Sequence, residues 1–200
     1  MKLLLENWRQ YLKEGDIPYQ IYCDMDGVLV SFEPAVVEYI NKKLQNGDAE
    51  ELKANIDRDY VTEDDIDMSN PNKLVRDYMR AEISNRADFW GNLEWADGGQ
   101  KLWNYLIPYK PYILTTPMGY GSEIGKQEWI DNNLRPLPEK IFMERDKYHW
   151  AVIGGKPNIL IDDWEKNTTS WQNAGGIAIL HVDTDQTIQR LEEILNEAPT

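Results

Sequence analysis

The chain has 200 residues, enough for one sizeable core and a small second unit. A net charge of −14 and a sequence pI of about 4.5 argue against a nucleic-acid polymer as partner, since binding one by counterion release needs a basic surface. A hydrophobic content of 42% with eight Trp excludes a disordered chain. No apolar run reaches the length of a membrane span, and the apolar start Met1-Lys2-Leu3-Leu4-Leu5 is broken by Glu6, Asn7 and Arg9 too early for a signal core. The single Cys23 cannot form an internal disulfide and reads as a small apolar strand residue. These features lead us to expect a cytoplasmic protein without a membrane partner. They leave the oligomeric state open, a homodimer included.

Leu3, Leu4, Trp8, Tyr11 and Leu12 fall on one helical face, so residues 1–15 read as an amphipathic leader helix packed on the core. The apolar run Ile21-Tyr22-Cys23 then reads as a buried strand that ends in Asp24-Met25-Asp26-Gly27. Residues i and i+2 of a strand point the same way, so Asp24 and Asp26 can converge on one point as the chain turns. Gly27 lets the backbone leave the strand with no side chain blocking a ligand.

From Phe32 to about Leu102 no strong strand signal occurs. Ala35–Leu44 has helical spacing, with Pro34 in its first turn and Asn46-Gly47 ending it. Asp57–Asp67 is acidic and turn-rich. It lacks the glycine and ligand spacing of a calcium loop and reads as a solvated surface loop. Ser69-Asn70-Pro71 opens a helix with Leu74, Val75, Tyr78, Met79 and Ile83 on its apolar face. Arg76, Arg80 and Arg86 form a basic cluster suited to phosphate or to a plain helix surface.

Beyond this stretch helices and strands alternate. The expected helices are Gly98–Leu106, Ser122–Asn133, Trp164–Asn173 and Thr184–Asn196. The expected strands are Tyr112–Thr115, Lys140–Met143, Asn158–Ile161 and Gly176–His181. Alternation of this kind implies a parallel sheet with helices on both faces, with ligands bound beyond the carboxyl ends of the strands. Asp24, Thr115 and the pair Asp162-Asp163 all fall at such ends. Four carboxylates there are unfavourable without a cation, and a hard divalent ion, most simply Mg2+, relieves them. His149 and His181 have no catalytic partner in the sequence and read as structural.

Taken in order, Asp24-Met25-Asp26-Gly27-Val28, Ile113-Leu114-Thr115-Thr116-Pro117, Arg145-Asp146-Lys147 and Ile159-Leu160-Ile161-Asp162-Asp163 resemble the four motifs of the haloacid dehalogenase-like hydrolases over about residues 19–182. With Leu29 and Phe32-Glu33 added, the pattern is most similar to the 5'(3')-deoxyribonucleotidases, from which Thr116 departs because that motif more often reads Thr-Ser-Pro. The resemblance implies an α/β fold: a Rossmann-like core with a parallel sheet flanked by helices, and a small helical cap inserted after the first core strand. It places the core at 16–32 and 96–200 and the cap at 33–95.

The implied activity is Mg2+-dependent hydrolysis of a small phosphomonoester, a deoxyribonucleoside monophosphate, through an aspartyl-phosphate. By resemblance Asp24 is the nucleophile, Asp26 the acid and base, Thr115 a phosphate donor, and Lys147 the cation that restrains Asp24. Lys126 and Lys156 compete for the lysine role. Asp24, Asp26, Asp162 and Asp163 would hold the metal, with Asp163 favoured over Asp162 as the direct ligand. Phe32, Thr116, Phe89, Trp90 and Arg145 would contact substrate, with Phe32 against the base. The rival readings are a phosphatase acting on a sugar phosphate or other small phosphomonoester, and a binding protein that keeps the fold without the chemistry.

Overall fold

The computed structural model describes residues 18–67 and 70–197. The expected leader helix therefore lies outside the described residues. The described residues form two compact units, one of 18–29, 96–116 and 135–197 and the other of 30–67, 70–95 and 117–134.

The first unit is built on a five-stranded sheet. Its strands are β1 (Ile21–Cys23), β2 (Tyr112–Thr115), β3 (Ile141–Met143), β6 (Ile159–Asp162) and β7 (Ile177–Leu180), in the order β3-β2-β1-β6-β7. Every neighbouring pair is parallel. The short central strands are continuous apolar runs because parallel strands are covered on both faces. Ile21, Cys23, Ile113, Leu114, Ile159, Leu160 and Ile161 are all fully buried. Each such side chain contributes about 1.5–3 kcal/mol relative to exposure. Helices α6 (Gly99–Leu106), α8 (Glu165–Asn173) and α9 (Thr184–Glu197) complete the unit, with α9 packed on α6 and α8 on β6 and β7. A hairpin of β4 (Val152–Ile153) and β5 (Lys156–Pro157), closed by two left-handed glycines, joins β3 to β6. The sequence reading did not include it, since its strands are only two residues long.

The second unit is helical: α1 (Phe32–Asn46), α2 (Glu50–Ile56), α3 (Glu63–Ile66), α4 (Leu74–Ile83), α5 (Ala87–Gly91) and α7 (Tyr120–Asn133). Gly47 closes α1 with φ 77°, the left-handed conformation glycine adopts without strain. The acidic stretch expected to be a surface loop contains α3. There Thr62 and Asp65 form a capping box, and Ile66 is buried. Local capping overrode the turn-rich composition.

Helix α7 packs tightly on α5. A Cβ at Gly121 would sit 2.1 Å from the Asn85 carbonyl carbon, and one at Gly125 would sit 2.4 Å from the Ala87 oxygen. Glycine therefore lets the two backbones touch. That contact face carries no apolar stripe, so helical periodicity did not join 117–134 to the inserted segment.

Candidate active site

The sheet register sets the site. Cys23 lies opposite Ile161 in the parallel pair β1–β6, and the ladder runs one step further, with the Asp24 amide donating to the Ile161 carbonyl at 2.9 Å. The next residues along the two strands, Asp24 and Asp162, are thus brought side by side at the carboxyl edge. Both are buried, at 6% and 0% exposure.

Lys147 explains how two buried acids coexist. It opens a short 3-10 turn, Lys147–Trp150, after β3, and its ammonium is 2.7 Å from Asp24 Oδ2 and 2.7 Å from Asp162 Oδ2. Burial opposes its charge, but Asp24 and Asp162 outweigh burial and hold the ammonium above the ordinary lysine range. The remaining oxygens are also engaged. Asp24 Oδ1 accepts the Met25 amide at 2.7 Å. Asp162 Oδ1 accepts the Trp164 amide at 3.0 Å, and the Asn167 side-chain amide reaches both Asp162 oxygens at 3.0 and 3.1 Å. Burial and then Asp24 push the Asp162 carboxyl up to about 6, against the pull of Lys147.

Asp163 completes the group. It keeps an open surface, yet the crowding of its carboxyl by protein, and then the charges of Asp24, Asp162 and Asp26, push it up to about 8. Carboxylate oxygens of Asp24, Asp162 and Asp163 lie within 4.8 Å of one another. Gly27 keeps that space open. Its φ is +69°, and a Cβ there would lie 1.9 Å from Asp163 Oδ2. Three carboxylates converging on one point, with a glycine leaving room beside them, fit a hard divalent cation bound by oxygen ligands.

The other expected residues are placed as follows. Asp26 is half-buried in the turn after β1. Thr115 is fully buried at the end of β2. Thr116 follows it and donates its hydroxyl to the Glu144 carbonyl at 3.0 Å. Arg145 is exposed. Of the three lysines considered, Lys147 is the one on Asp24 and Asp162. Lys156 is exposed in the hairpin, and Lys126 is buried in the second unit, 5.0 Å above the Trp90 ring.

Phe32, Phe89 and Trp90 also belong to the second unit. Trp90, expected to contact substrate, is 1% exposed, stacked on Phe32 at 5.0 Å and bonded through its indole N–H to the Ile83 carbonyl. Its ring is taken up by packing, while Phe32 and Phe89 stay half-buried. Arg76 is buried against the carbonyls of Asp67 and Asn70, so it holds a loop rather than joining a basic surface. His181 is buried with Nδ1 2.8 Å from the Thr187 hydroxyl, a structural placement. Burial drives the Cys23 thiol above its ordinary range, which suits a packing residue.

Asn167 and the Met25 amide are what sequence reasoning missed. A motif search sees the acids. It does not see the donor one helical turn beyond the pair, although an Asn three to five residues after two strand-end acids, Asp162-Asp163-Trp-Glu-Lys-Asn167, is a usable signal.

No protein-family model matches the chain. Among solved structures, a hydrolase from Streptococcus pneumoniae is similar with a TM-score of 0.52 and 11% identity, over 88% of this chain and 99% of that one. A putative HAD-hydrolase from Bacillus subtilis, bound to magnesium, has a TM-score of 0.48 and 17% identity, over 89% and 98%. A HAD family hydrolase from Deinococcus radiodurans, with bound phosphate and sodium, has a TM-score of 0.45 and 13% identity, over 88% and 89%. The likeness is one of fold: a five-stranded parallel sheet flanked by helices, as in the haloacid dehalogenase-like hydrolases.

Proposed function

We propose that this protein is a phosphomonoester hydrolase of the haloacid dehalogenase-like type, acting on nucleoside monophosphates and preferring deoxyribonucleotides. The observation that carries the chemistry is the buried Lys147 ammonium between Asp24 and Asp162, with Asp163 beside them. The nucleoside preference rests on the resemblance of the four motifs and of Phe32 to the 5'(3')-deoxyribonucleotidases.

Hydrolysis of a phosphomonoester is hindered because an anionic nucleophile must approach an anionic ester, so positioning and charge neutralisation carry most of the catalysis. In the proposed path an oxygen of Asp24 attacks phosphorus, the bond from phosphorus to the ester oxygen breaks, and that oxygen takes a proton from Asp26. Water, giving its proton back to Asp26, then cleaves the aspartyl-phosphate and frees inorganic phosphate and Asp24. Lys147 keeps Asp24 on the line of attack and offsets charge on the phosphoryl group, and Thr115 supplies a hydroxyl donor, the Thr116 hydroxyl being already given to the Glu144 carbonyl. Asp24, Asp162 and Asp163, with Asp26, would hold Mg2+. When bound it neutralises charge on the acids and the phosphoryl oxygens.

The test is phosphate release from a panel of deoxyribonucleotides, ribonucleotides and sugar phosphates, with Mg2+ or with EDTA, alongside Asp24→Asn. Turnover of nucleoside monophosphates that needs Mg2+ and vanishes in the variant is the expected result. Turnover of sugar phosphates alone overturns the substrate assignment, and full activity in folded Asp24→Asn overturns the mechanism.

A further inference from the structure

The opposite edge of the same sheet carries a second recess, of about 320 Å³, near the lower end of the range for small-molecule sites. It opens at the amino ends of the strands. Gln20, Lys140 and Asn158 come immediately before β1, β3 and β6, and Tyr112 begins β2. Gln20 and Asn158 each come four residues before a strand-end acid, Asp24 and Asp162, roughly 13 Å along an extended strand.

Four aromatic rings form its wall. Tyr22 and Tyr112 are register partners and so share a face, with ring centroids 5.4 Å apart at 89°. Phe142 lies 6.0 Å from Tyr22, and Trp150 lies 4.1 Å from Phe142 with the rings tilted by 41°. Tyr112, Phe142 and Trp150 are only half-buried, so their apolar surfaces are left facing the recess.

Among the described residues, the charged groups of the wall are all of one sign. Tyr22 also lines the recess and is 2% exposed. Burial, and then neighbouring Tyr112, push that phenol up to about 12, so it stays a donor. Lys140 and Lys156 add two ammonium groups, Lys140 standing 5.2 Å over the Tyr112 ring. The Trp150 indole N–H is already taken by Glu144. In a chain with 35 acids against 21 basic residues, no carboxylate among the described residues lines this recess.

We infer that the recess at the amino edge of the sheet is a binding site for a small planar aromatic anion, with its ring against the half-buried Tyr112, Phe142 and Trp150 and its charge toward Lys140 and Lys156. Aromatic faces accept a flat ring, and donors with no competing acid select negative charge. The site is separate from the phosphoryl chemistry proposed above and does not depend on it.

The experiment titrates the full chain with 2-naphthalenesulfonate, which has no phosphoester, and with 2-naphthylmethylammonium, which carries similar rings and the opposite charge. Saturable one-to-one binding of the sulfonate, at least tenfold tighter than the ammonium, is expected. Lys140→Gln with Lys156→Gln should weaken it at least fivefold. So should Ile153→Glu, which sets an acid in the wall at a side chain 50% exposed and so spares the core. Asp24→Asn should leave it unchanged. Equal affinity for the two probes, indifference to the lysine and Ile153 variants, loss of binding in Asp24→Asn, or no saturable binding up to millimolar probe by a folded protein would each overturn the assignment.

Discussion

The two edges of the five-stranded sheet are built from the same strands and have opposite chemistry. At the carboxyl edge, buried acids are packed so closely that a lysine must lie between two of them. At the amino edge, aromatic rings and lysines meet with no acid in the wall among the described residues. The carboxyl edge is where chain connections part and side chains from several strands can converge. The amino edge is closed by the incoming loops and the β4–β5 hairpin. One parallel sheet can thus hold a site of concentrated negative charge and a site selective for anions, provided its strands are short and its ends are kept apart.

The comparison breaks most visibly at Asp24. Asp24→Asn should lower phosphate release by on the order of a thousandfold or more while leaving the thermal midpoint close to that of the parent chain. A residual rate near that of the parent protein would separate the acidic edge from the chemistry. Lys147→Met tests the electrostatics directly. Removing the shared cation strands Asp24 and Asp162, and breaking a buried pair of this kind costs about 3–5 kcal/mol in urea unfolding. A loss under about 1 kcal/mol would mean that the three groups are not held as an ion triad.

Gly27→Ala should cost about 1–2 kcal/mol for the left-handed backbone. Its methyl group would also displace Asp163, so the Mg2+ concentration that half-activates the enzyme should rise about tenfold. An unchanged Mg2+ requirement would remove Asp163 from the metal site.

A pH titration sharpens the same point. Asp162 and Asp163 have folded values raised to about 6 and about 8, above the ordinary 3.8, so the folded state binds more protons than the unfolded one. Without divalent cation, the contribution of this pair to stability should therefore be greatest near pH 4 and decline as pH rises toward 8. Saturating Mg2+ should cancel the decline, so its effect on the thermal midpoint should be larger at pH 8 than at pH 5. An Mg2+ shift that is equal at both pH values would contradict a site made of these acids. The smallest effect is expected from Asn167→Ala, about 1 kcal/mol, with a lowered kcat and little change in KM as Asp162 loosens.

Much of this was legible in the sequence, for identifiable reasons. The strand at Tyr112–Thr115 matches its expected bounds, and the others shift by a residue or so at their ends, because fully buried parallel strands are unbroken apolar runs. Asp24 and the acidic pair stood out because acids directly after such runs are costly and rare. The helix at Tyr120–Asn133 was also expected, but not its neighbours, since its contact face is Gly121 and Gly125 rather than an apolar stripe. Trp90 looked like a ligand contact because an aromatic pair beside a chain crossing often is one. Its stack on Phe32 comes from a residue distant in the chain, and its bond to Ile83 from one in the preceding helix. The hairpin at Val152–Pro157, and with it the recess below Tyr22, gave no signal because two-residue strands have no period.

By itself, then, the sequence determined the parallel α/β core, the order of its strands and helices, and the identity of the acids at the strand ends, because each depends on composition and spacing within a short window. Only the tertiary structure decided that Lys147 rather than Lys156 or Lys126 lies between Asp24 and Asp162, and that Tyr22 and Tyr112 meet Lys140 and Lys156 at the far edge. Those are distances between residues far apart in the chain, set by sheet register and loop closure, and no local pattern encodes them.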